Sequence, residues 1–280
     1  MIIGISGRIS SGKDTVGKII QYLMATGGSK ESTIPSFNPD NNYDDWSDWQ
    51  IKKFAYAVKQ VCSILTSIPI EDFEKQEVKD RVLGEEWRRW YNYMYRLQTN
   101  NNSQGRVGYY FNTEQEAIEE HNKIKFSLGI TTITSELITV RQLVQEVGTD
   151  AMRNVIHPNV WVNALMNQYK DTPYQEGTTP ENLKWIHDNN YPNWVITDVR
   201  FPNEVRTIKE RGGIVIKVNR DNMPTSYRLK KRSGGFTNVS LHLSEIALDD
   251  YPFDYFINNN GSIEELIKEV KYFLTIKEIL

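Results

Sequence analysis

Five short apolar runs mark the chain, at 2–6, 51–55, 194–199, 214–219 and 253–258. Trp194-Val195-Ile196 and Ile214-Val215-Ile216 are continuous rather than alternating. That is the pattern of parallel strands covered on both faces. Between the runs the apolar positions take helical spacing. Val16, Ile19, Ile20 and Leu23 form a stripe over 13–25, and further helices are predicted at 56–66 and at 202–211. The helix at 202–211 has Pro202 near its start and Gly212-Gly213 closing it, both common at those helix ends. Ser262 and Glu265 make a capping box for a last helix carrying Leu266, Ile267, Val270, Phe273 and Leu274. Alternation of strand and helix predicts an α/β fold: a doubly wound, mainly parallel five-stranded sheet with flanking helices.

The second and third runs are separated by more chain than a crossover needs. Within that surplus, 83–135 concentrates Trp87, Trp90, Tyr91, Tyr93, Tyr95, Tyr109, Tyr110 and Phe111. It is expected to be an inserted aromatic-rich subdomain, with strand-like pieces at 88–97 and 106–111 and a helix at 113–124, inside a single domain spanning 1–280. It packs on the edge of the core, or serves as a substrate lid or a homodimer contact. Residues 27–48 are read as a surface loop and about 170–182 as a polar linker. No internal repeat is found.

Composition narrows the function classes. The 280 residues suffice for one substantial core. A net charge of −3 gives no general attraction to polynucleotides or anionic membranes. The single cysteine, Cys62, excludes an internal disulfide and fits a reducing, cytoplasmic setting, as a small apolar residue on a helix face. No stretch approaches the ~20 apolar residues of a membrane span, and no basic leader precedes the first strand. His121, His157, His187 and His242 lie far apart and show no zinc-ligand spacing.

The chemistry concentrates at the amino end. Gly7 and Gly12-Lys13 have the spacing of a phosphate-binding loop, set between the first strand and the first helix. Glycines there admit positive φ and bring backbone N–H groups close to phosphate oxygens, and the helix start adds the positive end of its dipole. Lys13 supplies a mobile charge for the β and γ phosphates. Asp14 stands where Ser or Thr usually meets magnesium. It is still a hard oxygen ligand, acting directly or through water, and Thr15 offers a hydroxyl one residue later.

Other candidates fall at predicted element ends. Asp198 closes the third run, at the sheet edge where ligands of doubly wound folds sit, and could hold magnesium or its waters. Val199 follows it where ATP-hydrolysing motors commonly carry Glu, which favours a transferase. Arg200 either neutralises a moving phosphoryl group or pairs with Glu204. Thr139 and Gln142 cap a helix that is expected to stop at Gly148. Arg141 in its first turn opposes the dipole, which makes sense if it grips an anion, and Arg153 could converge on the same ligand. Residues 220–235 carry Arg220, Arg228, Lys230, Lys231 and Arg232 between Pro224 and Gly234-Gly235, a basic lid-like loop. His242, Ser244 and Glu245 sit too close together for a hydrolytic triad and read as a helix start.

Several segments together resemble the deoxynucleoside monophosphate kinases of bacteriophages, within the P-loop kinase superfamily. They are GRISSGKDT at 7–15, FAYAVKQV at 54–61, TVRQLVQEVGTDAMR at 139–153, NVWV at 159–162, ITDVRFPNE at 196–204, GGIVIKV at 212–218, LHLSE at 241–245 and NNGSIEEL at 259–266. Leu241 departs from the family, which often has an acid there. The resemblance implies transfer of the γ-phosphoryl of ATP, with Mg2+, to the 5′-phosphate of a deoxynucleoside monophosphate. It implies nucleotide binding by Gly7, Ser10, Ser11, Gly12, Lys13, Asp14 and Thr15, and magnesium at Asp14, Thr15 and Asp198. Arg141 and Arg153 would take the acceptor phosphate, Arg200 the moving group, and 220–235 would close over it. The partner is then a small molecule and no polynucleotide. Two rivals remain: a P-loop kinase for another phosphorylated small molecule such as dephospho-coenzyme A, and a nucleotide-gated binding protein.

Overall fold

The computed structural model describes residues 1–28, 36–96, 105–111, 113–124, 131–170, 191–221 and 247–280. In chain order its strands are β1 (Ile2–Ser6), β2 (Trp49–Lys52), β3 (Arg88–Arg96), β4 (Gly105–Phe111), β5 (Thr131–Leu137), β6 (Asn193–Val199), β7 (Ile214–Asn219) and β8 (Tyr255–Asn258). Its α-helices are α1 (Lys13–Thr26), α2 (Ala55–Thr66), α3 (Gln76–Lys79), α4 (Glu114–Ile124), α5 (Val140–Gln145), α6 (Val160–Met166), α7 (Pro202–Lys209) and α8 (Ile263–Ile276). The chain divides into two compact units, Met1–Ala57 with His157–Leu280, and Val58–Ile156.

The first unit is built on a five-stranded sheet in the order β2-β6-β1-β7-β8. Every neighbouring pair is parallel, with Ile3 opposite both Val195 and Ile214. All five residues of β1 are buried. Ile3, Ile5, Val195 and Ile216 pack on one face against Ile19, Ile20 and Leu23 of α1 and Leu266, Val270 and Phe273 of α8. Ile2, Trp194, Ile196 and Val215 pack on the other against Val162 and Leu165 of α6 and Val205 and Ile208 of α7. Helices on both faces explain why the central runs carry no polar alternation.

Element boundaries moved where distant groups intervene. The run expected at 51–55 is a strand at Trp49–Lys52, because the Phe54 and Ala55 N–H groups turn to the Asp198 carboxylate and start α2. β8 begins two residues later than its apolar run. Phe253 packs into the core, and the Asp254 carboxylate accepts the Val215 N–H at 2.7 Å. The expected surface loop at 27–48 is partly core. Tyr43 is fully buried, 5.5 Å from Tyr22 of α1 and stacked on Phe37 at 5.8 Å.

The second unit contains a three-stranded antiparallel sheet, β4-β3-β5, with α4 packed against it. Its first two strands and helix match the expected pieces. β5 was not foreseen: Thr131–Leu137 has no apolar alternation, and pairing with β3 defines it. The Thr139–Gln142 capping box forms. Gly148 does not stop the helix, which continues as a π-helical segment through Glu146–Ile156. Gly148 packs beside Val58, whose Cγ1 would lie in ordinary contact, 3.4 Å from an added Cβ. Cys62 is buried on α2, and burial pushes its thiol up to about 11. Among the described residues no helix is long and apolar enough to cross a membrane.

Candidate phosphate-binding site

β1 delivers the chain into the loop at Gly7, whose φ is +153°. An added Cβ there would lie 2.6 Å from both the Ser11 Oγ and the Val218 carbonyl oxygen. The loop turns through Ser10, at φ +61°, and the Ser11 N–H donates to the Arg8 carbonyl at 3.1 Å. Gly12 follows at φ +94°, and its carbonyl accepts the Val16 N–H, the first bond of α1. Lys13 folds back over this backbone. Its Nζ donates to the Gly7 and Arg8 carbonyls, each at 2.8 Å. The Ser11 Oγ is buried with no hydrogen-bond partner. Glycine is therefore favoured at 7 by space and backbone sign alike, and at 12 by backbone sign.

Asp14 sits in the first turn of α1. Its Oδ1 pairs with the Lys53 Nζ at 3.0 Å and accepts the Thr197 hydroxyl at 2.6 Å. Thr15 is half-buried beside it. Asp198, next to Thr197, accepts the Phe54 N–H on Oδ1 at 2.8 Å and the Ala55 N–H on Oδ2 at 2.9 Å. One carboxylate thus joins the tip of β6 to the N-terminus of α2, an arrangement favoured by the helix dipole. Arg200 follows at that tip. Glu204 is tied to this tip by backbone bonds: its buried carboxylate accepts the Arg200 N–H at 2.7 Å and the Phe201 N–H at 3.0 Å.

Ser6, Gly7, Arg8, Val199, Arg200, Lys217, Leu248 and Asp249 line a cavity of about 20 Å³. Of its three cations, two meet the Asp249 carboxylate. Arg8 Nη2 lies 3.2 Å from Asp249 Oδ2, and the Lys217 ammonium, 5.2 Å from the centre of the Phe253 ring, is 3.9 Å from Asp249 Oδ1. Sequence reasoning passed over Arg8, Lys53, Lys217 and Asp249. Arg8 lies inside the loop motif and could have been found there; the others reach the site only through pairing of distant strands.

The fold brings Lys13, Asp14, Thr15, Asp198 and Arg200 to one edge of the sheet. Arg141 and Arg153 belong to the second unit. Arg141 Nη2 contacts Asp80 Oδ1 at 3.0 Å, so the anion it meets there is a carboxylate of its own unit. Hydrogen bonds from Gln76 and then Arg141 hold the Asp80 carboxyl below the usual range. Arg153 lies within the π-helical segment. Arg220 is described and exposed, just past β7. Arg228, Lys230, Lys231 and Arg232, the rest of the basic loop from 222 on, and Leu241, His242, Ser244 and Glu245 fall outside the described residues, as does the linker from 171 on. Among the described residues no group of three or more His, Cys, Asp or Glu is gathered as a metal cage.

The family model of deoxynucleotide monophosphate kinases matches residues 88–270. The chain belongs to that family. The matched span takes in the second unit's sheet, the tip of β6 and the last two strands of the parallel sheet. The glycine loop precedes it, and its geometry is an independent observation. Deoxynucleotide monophosphate kinases of Escherichia phage RB69 and Enterobacteria phage T4 are 26% identical over 136 residues and 25% identical over 138 residues. Each alignment covers 49% of this chain, and 45% and 46% of the respective relative. A provisionally named deoxynucleotide monophosphate kinase of Acanthamoeba polyphaga mimivirus is 29% identical over 140 residues, 47% of this chain and 59% of that protein. The chain thus spans about half the length of the relatives it matches.

Proposed function

We propose that the protein transfers the γ-phosphoryl group of ATP to the 5′-phosphate of a deoxynucleoside monophosphate. The observation that carries this reading is the loop itself: two glycines in the left-handed region and a lysine folded over the carbonyls between them. On binding, Lys13 exchanges two carbonyl oxygens for the β and γ phosphates, whose full charges it neutralises better. The acceptor phosphate is already an oxyanion, so alignment and charge neutralisation suffice without a strong base. Arg200 faces the moving group, with Arg8 and Lys217 beside it in the same cavity. Arg141 and Arg153 would bind the acceptor phosphate, Arg141 by exchanging the Asp80 carboxylate for it. The loop 220–235, Arg220 included, would exclude water from the transfer.

Asp14, Thr15 and Asp198 fit a magnesium ion in chemistry, since all offer hard oxygen. The Asp14 side chain is 64% exposed, and each Asp198 oxygen takes one backbone N–H, leaving a lone pair. Two carboxylates without an all-protein cage suit an ion that keeps several waters and is shared with phosphates. When bound, the ion would offset charge on the β and γ oxygens. A cytoplasmic setting, where ATP and monophosphates are abundant, follows from this reading.

The test is ADP release with ATP and a panel of dAMP, dCMP, dGMP, dTMP and dephospho-coenzyme A. Turnover stimulated by one or more deoxynucleoside monophosphates is expected. Stimulation by dephospho-coenzyme A alone would overturn the acceptor assignment, and ATP binding with no stimulated turnover would overturn the kinase reading.

A further inference from the structure

The loop's backbone is held from an unexpected quarter. Asn259 directly follows β8, and its side-chain Nδ2 donates to the Ser11 carbonyl at 2.8 Å, across 248 residues of sequence. The same amide nitrogen lies 2.3 Å from where a Cβ on Gly12 would stand. Asn259 is itself fixed. Its backbone N–H donates to the Asn219 carbonyl at 2.8 Å. Its neighbour Asn260 makes a reciprocal pair with Asp221, accepting the Asp221 N–H at 2.7 Å and donating Nδ2 to the Asp221 carboxylate at 2.7 Å.

The described chain has no cis peptide, so the Ser11 carbonyl and the Gly12 N–H point in opposite directions across their shared peptide plane. Pinning the carbonyl to Asn259 therefore sets the N–H on the opposite side. Among the described residues the Gly12 N–H has no hydrogen-bond acceptor. We propose that Asn259 is a positioning residue, which holds the Ser11–Gly12 peptide so that the Gly12 N–H is presented to a polyphosphate. This rests on the reading of the loop as a phosphate site. A left-handed glycine can flip its preceding peptide at low cost, so a loop that owes its anion affinity to oriented amides needs such an anchor.

The test uses Asn259→Leu, close in size and uncharged, and Asn259→Ala. The probes are ATP and inorganic tripolyphosphate, the latter because it carries no base. Binding of both probes is expected to weaken about tenfold in either Asn259 variant, the loss of one oriented donor to a charged group. The KM for the monophosphate acceptor should stay unchanged. In wild type the Gly12 amide proton should shift downfield on adding tripolyphosphate, and this shift should be lost in the variants while melting curves stay cooperative. Tripolyphosphate binding within twofold of wild type in both Asn259 variants overturns the proposal, as does a loss seen with ATP alone, which would mean contact with the base. Wild-type protein that binds neither probe overturns the phosphate-loop reading itself, and this inference with it.

Discussion

Lys13 and Ser11 stand two residues apart in the same loop, yet their side chains have opposite prospects. The Lys13 Nζ donates to the Gly7 and Arg8 carbonyls of the loop, and Lys13 belongs to neither apolar core. Lys13→Ala should leave the melting curve nearly unchanged while turnover falls by about a hundredfold or more, the scale seen when one preorganised charge-stabilising donor is removed. Steady-state assays paired with circular dichroism check both halves. The Ser11 Oγ is buried without a partner, so Ser11→Ala removes no hydrogen bond and relieves an unsatisfied hydroxyl. Stability equal to or above wild type, with ATP affinity within about twofold, is expected in calorimetry and denaturant titration. The motif spacing identifies Lys13 and the two glycines from the sequence. It says nothing of Asn259 or Lys53, whose contacts with the loop and with Asp14 depend on which strands become neighbours.

At the scale of elements, α1 lies unusually close to β6. A Cβ on Gly17 would stand 2.6 Å from the Thr197 Cγ2, a branched side chain with little freedom to retreat. Helix propensity favours alanine over glycine by about 1 kcal/mol. Overpacking should win here: Gly17→Ala is expected to destabilise by about 1–3 kcal/mol, read from the midpoint of urea unfolding at constant slope. The displacement would also move Asp14 relative to Thr197, so ATP affinity should fall in the same variant. Helices α1, α7 and α8 were legible because their apolar stripes and caps are local signals. β5 was not, since a Thr-rich segment becomes a strand only when β3 supplies the partner.

For the whole molecule, the proposed phosphate site draws on the first and last thirds of the sequence, from Gly7 through Asp198 and Arg200 to Asn259. A ligand gripping all of these binds only the folded chain. ATP at a hundred times its dissociation constant should stabilise by about 2.7 kcal/mol, which raises the melting temperature by roughly 5 °C or more. Adenosine, lacking the phosphates, should give a far smaller shift; an equal shift would contradict a phosphate-centred site. The sequence by itself determined the parallel α/β architecture and the glycine loop, because apolar runs, caps and glycine spacing act over a few residues. Only the tertiary structure decided that Asp198 caps α2, that Arg8 and Lys217 share a cavity with Arg200, and that Asn259 holds the loop. Those groups lie from 17 to 248 positions apart, and strand order, which no local pattern encodes, brings them together.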